Sequence, residues 1–278
     1  MCTRGWQLLG NPEESRSQTQ SYEAVSYTWG KQEFIKHLIC NEGSGKSRVQ
    51  ITENIDFMLR HLRRRQKPRN IWIDVISLNQ KDETEKEQQV PLMGKIYNDA
   101  KNVVVWLNSP GLSSAGARNV FRKLEELASA SEGNSNLINI NDDVTSLIQY
   151  LSKYRWFYRR WVLQEVVRGK MVIVQLGKDT CDWRVFSTGI LAAEKLVTMS
   201  DRLHYGIFRT VRMIESQIDN WLELLWNLDH TECSNLHDML FALYGLTDTA
   251  RNLEKPQPNY RCHWQQTYET YTRYFIAQ

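Results

Sequence analysis

A compact group of chemically capable side chains lies between residues 155 and 165. The segment reads Arg155-Trp156-Phe157-Tyr158-Arg159-Arg160-Trp161-Val162-Leu163-Gln164-Glu165, and the apolar run Met171–Leu176 follows it. A carboxylate can stabilise or trap a cationic intermediate, and a position just before a buried strand is an unusual place for one. If the chain has an active site, we expect Glu165 to be part of it.

Glu165 also has a structural interpretation. A buried ion pair with Arg159 or Arg160 would hold its helix to the sheet, and structural ion pairs perturb carboxylates as catalytic sites do. Spacing alone favours this ion pair. In the same way, Trp106, Trp156 and Trp161 are more typical of a core than of a surface on which a ligand ring stacks.

The composition indicates a folded protein without a dominant charge. Of 278 residues, 41% are hydrophobic, and 35 Lys and Arg against 32 Asp and Glu give a net charge of +3. The basic residues are scattered, which argues against a nucleic-acid partner. No apolar run approaches the ~20 residues of a membrane span, and no signal core begins the chain. We therefore expect a cytoplasmic protein with no membrane span.

The cysteines and histidines indicate neither disulfides nor a metal site. Five cysteines are far apart without a Cys-x-x-Cys pair, and six histidines show no metal-ligand spacing. The pattern is typical of reduced thiols in an intracellular protein. We expect no metal and no prosthetic group.

Three apolar segments in the first 107 residues predict strands of a parallel sheet. Residues 11–20 are polar and predict an exposed loop, and Tyr22–Tyr27 then alternates polar and apolar side chains before a turn at Gly30. Asn70–Ser77 is apolar on both faces apart from Asp74, as in a central parallel strand. Asn102–Leu107 predicts the third strand. Because ligands bind at the carboxyl ends of such strands, the segments after them are candidate ligand-facing loops.

Helical patterns separate and follow these strands. Thr52 begins a predicted helix that runs to Arg65, and the helix dipole explains its terminal Arg63-Arg64-Arg65. Thr84 and Glu87 form a predicted capping box for the next helix, which Pro91 kinks or restarts. Further helices are predicted at 117–130, at 144–151, at 183–197, at 207–228, at 236–246 and around Tyr268, Tyr271 and Phe275. We therefore divide the chain into an α/β domain, residues 1–180, and a helical extension, residues 181–278, and the abrupt end at Gln278 hints at a longer parent chain.

Five sequence blocks carry a further signal, and they are Tyr22–Gly30, Trp72–Gln80, Gln89–Ala100, Val104–Leu107 and Trp156–Glu165. Together they resemble the heterokaryon incompatibility (HET) domain of filamentous fungi. They occur in the family's order, and later segments around Asp238–Leu246 and Pro258–Tyr260 resemble those that usually follow it. Ser77 stands where the family commonly has cysteine, so we do not expect a cysteine nucleophile at that position.

The resemblance implies an activity, because the HET family is similar to Toll/interleukin-receptor (TIR) domains. Enzymatic TIR domains cleave NAD with a glutamate four residues after a tryptophan, and Trp161 and Glu165 have that spacing. Four residues are about one helical turn, so the two side chains share a helix face. The implied fold is a TIR-like (flavodoxin-like) open parallel sheet flanked by helices. NAD would then be the substrate, and self-association would accompany activity.

The implied site places Glu165 as the catalytic residue, with other residues around the nucleotide. Asp74 could meet a ribose hydroxyl or cap a helix, and Asn79 and Gln80 could satisfy loop backbone groups instead. The binding candidates are Ser26, Tyr27, Trp29, Gly30, Asp74, Asn79, Gln80, Arg159 and Trp161.

Two functions therefore remain at the level of sequence. One is an NAD-cleaving effector of fungal non-self recognition and cell death. The other is a non-catalytic signalling module that self-associates and recruits another effector.

Overall fold

The computed structural model describes residues 6–7, 21–31, 33–42, 45–64, 66–107, 110–131, 141–197, 202–216, 220–246 and 254–277. The predicted loop at 11–20 lies outside these residues. The described strands are β1 Trp6–Gln7, β2 Glu23–Ser26, β3 Lys36–Glu42, β4 Gly45–Ile51, β5 Arg69–Trp72, β6 Asn102–Leu107, β7 Val172–Leu176 and β8 Asp179–Asp182. The first helices are α1 Glu53–Leu62, α2 Asp74–Ser77, α3 Glu83–Gln89, α4 Met93–Asp99, α5 Ser114–Ser131 and α6 Asn141–Leu151. The later ones are α7 Val162–Val167, α8 Trp183–Glu194, α9 Arg202–Ser216, α10 Trp221–Asn227, α11 Asp238–Phe241 and α12 Trp264–Ala277.

Six strands form one sheet in the order β1-β5-β2-β6-β7-β8. All neighbours are parallel except β7 and β8, which are antiparallel. Strands β3 and β4 form a separate hairpin. The predicted α/β architecture, an open and mostly parallel sheet flanked by helices with further helices after it, is confirmed.

Side-chain alternation along the strands divides the core between the two sheet faces. Ala24, Val103 and Val105 belong to a large cluster with the helices that follow β6. Val25 and Val104 point the other way, into a smaller cluster with Ile55 and other residues of α1. The large cluster also contains residues from α8, α9 and α12, so the helical segment after residue 181 packs on the same face as the earlier helices.

The second predicted strand is shorter than expected, and the prediction that Asn70–Ser77 is all strand was wrong. Strand β5 ends at Trp72, and α2 starts at Asp74. The Asp74 Oδ1 atom accepts the backbone N–H of Val75 at 2.7 Å, and the carboxylate lies in the first helical turn. Aspartate is disfavoured in strands and stabilises helix starts, so the chain turns into a helix here.

The helix predicted to begin at Thr84 is capped by a different residue in the structure. Asp82 caps α3, because its Oδ1 atom accepts the N–H groups of Thr84 and Glu85 at 2.9 and 3.2 Å. The Glu87 carboxylate reaches the backbone N–H of Tyr260 at 2.8 Å instead of closing a capping box. Pro91 lies in a 3-10 turn, Val90–Leu92, before α4, so its predicted break is confirmed.

Two later helix predictions need correction. The predicted helix 207–228 is divided into α9 and α10, because the Asn220 side chain accepts the N–H of Glu223 and caps a new helix. Within 236–246 only α11 is α-helical, and turns follow it. The N–H of Gly245 donates to the Gln164 side chain at 3.1 Å, a bond to another element in place of a helical one.

Candidate functional site

Glu165 lies on α7, beside the carboxyl end of β2. Its side chain is 2% exposed, and the Ser26 hydroxyl donates a hydrogen bond to its Oε2 atom. The indole N–H of Trp156 donates to the Ser26 oxygen at 2.8 Å. An indole nitrogen can only donate, so the Ser26 hydrogen is left for the carboxylate. Trp156 and Ser26 therefore orient Glu165.

Arg159 is the charged partner of Glu165. Its Nη2 atom lies 3.6 Å from the Glu165 Oε1 atom, and its Nη1 atom donates to the backbone carbonyl of Tyr27. Arg160 contacts the helical segment near the C-terminus instead. Its guanidinium donates to the carbonyls of Leu228 and Met239 at 2.6 and 3.1 Å. Of the two ion pairs considered from the sequence, the structure contains the one with Arg159.

Burial and the groups around Glu165 together set the pKa of its carboxyl. Burial has the largest effect and raises the pKa of this carboxyl, Arg159 and the Ser26 hydrogen bond lower it, and the Asp74 charge raises it. The net result is a pKa of about 7, compared with the ordinary value of 4.5. Desolvation disfavours the charged carboxylate, whereas a cation or donor favours it. Glu165 can therefore exchange a proton near neutral pH.

Asp74 connects the β2 end to the β5 end. Its carboxylate accepts the Tyr27 hydroxyl at 2.9 Å and the Trp29 indole N–H at 2.8 Å. Burial, followed by the Asp74 charge and hydrogen bond, holds the pKa of Tyr27 well above its usual range. Asp74 thus fixes both aromatic side chains of the β2 loop, and Gly30 completes that loop with a φ of +69°.

The structure brings only some of the predicted binding residues together. Ser26, Tyr27 and Arg159 contact one another or Glu165, and Asp74 joins them through Tyr27. Gln80 reaches the backbone carbonyl of Asp74 at 3.5 Å.

Asn79 and Trp161 have other partners. The exposed Asn79 accepts the N–H of Lys81 at 3.2 Å, a contact within its own turn. The Trp161 indole N–H donates to the Asp238 Oδ2 atom at 3.2 Å. Trp161 therefore touches the helical segment, and its carbonyl bonds the N–H of Glu165 at 3.2 Å.

Sequence reasoning missed the support that α7 receives from the segment around residues 238–245. Asp238 binds Trp161 and also accepts the Tyr260 hydroxyl at 2.6 Å. A Cβ atom on Gly245 would lie 2.8 Å from the Gln164 Nε2 atom, so only glycine fits there without displacement. The contacts of Trp161 with Asp238 and of Gln164 with Gly245 link residues 77 and 81 positions apart, and no short-range sequence pattern indicates them.

Glu165 is enclosed in this conformation. Two surface cavities, of about 690 and 450 Å³, are lined by other residues. No group of three or more His, Cys, Asp or Glu side chains among the described residues is placed to hold a metal ion. In the part of the chain that the structure covers, no helix is long and apolar enough to cross a membrane.

Comparison with known proteins identifies the family of this chain. Residues 22–165 match the sequence profile of the heterokaryon incompatibility protein (HET) family. The chain is 43% identical over 96 residues to "Heterokaryon incompatibility protein 6, OR allele" of Neurospora crassa, a match that covers 31% of this chain and 14% of the relative. No solved structure matches significantly. Since the matched region is more than half of its length, the chain belongs to the heterokaryon incompatibility (HET) family.

Proposed function

We propose that this chain acts in fungal non-self recognition and cell death, and that its effector step is cleavage of the N-glycosidic bond of NAD at Glu165. The name of the N. crassa relative supports the first part. The second part rests on the arrangement of Glu165 described above, together with the similarity to TIR domains inferred from the sequence.

The observation that carries the proposal is the environment of Glu165. One carboxylate is buried at the carboxyl ends of parallel strands, where open α/β sheets bind ligands. Ser26 orients it, and its pKa of about 7 leaves it partly ionised at neutral pH. A carboxylate placed in this way is suited to chemistry at neutral pH, although a structural ion pair also perturbs the pKa of a carboxylate.

Cleavage of NAD suits a single carboxylate. The bond between the ribose C1′ and the nicotinamide nitrogen breaks, and its electron pair leaves with the nitrogen, which becomes neutral. The ribose is left as an oxocarbenium cation, which the ionised Glu165 stabilises or traps as in glycoside cleavage. Water then adds to C1′ and loses a proton, and no general acid is needed because the departing nicotinamide is neutral.

The other predicted residues would bind the nucleotide around this carboxylate. Trp29 and Tyr27 supply rings, but both also hold Asp74 through hydrogen bonds of 2.8 and 2.9 Å. Asp74 would therefore meet a ribose hydroxyl only in exchange for one of these bonds. Arg159 has to move aside for the substrate to reach Glu165, and we propose that self-association produces this opening.

One observation favours a second candidate, a non-catalytic module that acts by self-association. Glu165 is only 2% exposed, and both of its oxygen atoms have partners, Ser26 and Arg159. A closed ion pair of this kind stabilises the helix position without any substrate. The two candidates differ in whether NAD is consumed.

Incubation with NAD tests the proposal. The purified chain, at protein concentrations high enough for self-association, is expected to release nicotinamide and leave ADP-ribose or its cyclic form. Product chromatography separates these outcomes, and parallel incubations with NADP test the nucleotide preference. Absence of nicotinamide release while the chain is associated would favour the non-catalytic module.

A further inference from the structure

A basic groove lies on the sheet face opposite to Glu165. Its volume is about 690 Å³, and its floor includes Val104 of β6 and Ile173 of β7. Val104 packs against α1 on one face of the sheet. Ser26 lies two residues after Ala24 on β2, so both side chains point to the other face. The groove is therefore separate from the site of the proposed function.

Basic side chains dominate the rim of the basic groove. Arg60, Arg63 and Arg64 come from the end of α1, and Lys178 comes from the turn between β7 and β8. Arg64 and Lys178 are exposed, and Arg60 is bound to Asp56 at 2.8 Å. The rim therefore combines planar guanidinium groups with one ammonium group, the donors that proteins use for phosphate.

The only carboxylate that lines the groove among the described residues is already neutralised. Glu23 accepts two hydrogen bonds from Arg69, at 3.0 and 2.5 Å. The Arg69 Nη1 atom also donates to the carbonyl of Leu62, the last residue of α1, at 2.6 Å. Arg69 thus satisfies one of the carbonyls that the C-terminus of α1 leaves without a helical partner. The field inside the groove stays positive.

The floor and size of the groove restrict the ligand. A volume of about 690 Å³ is typical of pockets for cofactor-sized molecules. The half-buried Ile173 offers an apolar surface to a flat ring, and the rim receives negative charge. Val104 lies beside Ile173 in the sheet but is only 2% exposed, so it supports the floor without contacting a ligand. A nucleotide has a flat base for the apolar floor and phosphates for the basic rim, whereas inorganic polyphosphate would contact only the rim.

We propose that the basic groove binds a nucleoside polyphosphate, with its phosphates at Arg63, Arg64 and Lys178 and its base against Ile173. This inference does not depend on NAD cleavage, because the groove shares no lining residue with the Glu165 site. It gives the chain a second ligand, bound on the opposite face of the sheet.

Titration with ATP and with inorganic tripolyphosphate tests the inference. The Arg64→Glu/Lys178→Glu variant is expected to bind both probes at least about tenfold more weakly than the unaltered chain. The matched control is Lys153→Glu/Lys195→Glu, which makes the same charge change at two exposed lysines near the ends of α6 and α8. This control is expected to change either affinity by less than about twofold.

A third variant tests the floor of the groove. Ile173→Asn removes apolar surface at similar size and without charge, so it is expected to reduce ATP affinity to that of tripolyphosphate. Melting curves show whether each variant is folded before it is titrated. Lack of saturable binding, equal weakening in the control, or ATP binding no tighter than tripolyphosphate would each overturn the inference.

Discussion

The Ser26 hydroxyl donates to the Glu165 carboxylate, although 139 residues separate them in the chain. Ser26 is the last residue of β2, and Glu165 belongs to the helix that leads into β7. Trp156 fixes the direction of the hydroxyl through its own hydrogen bond. The orientation and the charge state of the carboxylate therefore depend on correct assembly of the whole sheet.

Replacing Glu165 by glutamine should stabilise the protein more at high pH than at low pH. Below about pH 4.5 the carboxyl is protonated in both the folded and the unfolded chain, so its burial costs little. Above the folded pKa of about 7 the folded chain carries a buried charge. The difference in unfolding free energy between variant and wild type should grow between these values, by on the order of 3 kcal/mol.

Urea unfolding at a series of pH values from 5 to 8 measures this difference. Other titrating groups cancel, because both proteins contain them. A difference that stays constant across this range would show that the pKa of Glu165 is not raised by folding.

Ser26→Ala should destabilise the protein and raise the pKa of Glu165 further. The change leaves the Trp156 indole N–H without its acceptor and removes a donor from Glu165, a loss of about 1–3 kcal/mol. Ser187→Ala is the control, since Ser187 is equally buried and its hydroxyl donates to the carbonyl of Arg184, within its own helix. Chemical denaturation of the two variants is the measurement, and equal losses would contradict the role of Ser26.

Gly245→Ala should destabilise the contact that supports α7. The added Cβ would lie 2.8 Å from the Gln164 Nε2 atom and 3.1 Å from the Gly94 Cα atom, so overpacking should cost about 1–3 kcal/mol. Gly116→Ala is the control, because its Cβ meets the movable tip of Leu112 in an exposed helical turn. Thermal melting compares the two, and an unchanged melting temperature for Gly245→Ala would refute the close approach.

Arg159→Met should shift the titration of Glu165 to higher pH. Arg159 lowers the pKa of this carboxyl, so its removal should raise the value above about 7. The pH-dependent stability difference between Arg159→Met and Arg159→Met/Glu165→Gln should then have a higher midpoint. Arg155→Met is the control, because Arg155 is 70% exposed and pairs with Glu232. A midpoint unchanged from that of the unaltered pair would exclude Arg159 as its electrostatic partner.

The sequence predicts the sheet and its main helices because local patterns determine them. The apolar run at Asn102–Leu107 forms β6, and Thr52 caps α1 as its side-chain oxygen and spacing indicate. The position of Glu165 on a helix before a strand is also correct. Periodicity and capping act over a few residues, so a single sequence contains enough information for them.

The partners of the site could not be predicted in the same way. Whether Arg159 or Arg160 meets Glu165 depends on the direction of each side chain after a 3-10 turn, Arg155–Tyr158. The bond of Trp161 to Asp238 depends on the packing of a segment 77 residues further along. Strand β5 ends early, before Asp74, whose carboxylate accepts three hydrogen bonds. Two come from Tyr27 and Trp29 in the loop after β2, and the third comes from the backbone N–H of Val75.

The most direct test of the proposed chemistry is the rate of nicotinamide release from NAD by the wild-type chain and by the Glu165→Gln variant, both at protein concentrations at which the proposed self-association would occur. Melting curves confirm beforehand that the variant is folded, and light scattering confirms that it associates equally. We expect release by the wild type and a loss of at least about a hundredfold in the variant, since the cationic intermediate loses its carboxylate. Equal rates in the two proteins, or no release by either, would contradict the assignment of Glu165 as the catalytic residue.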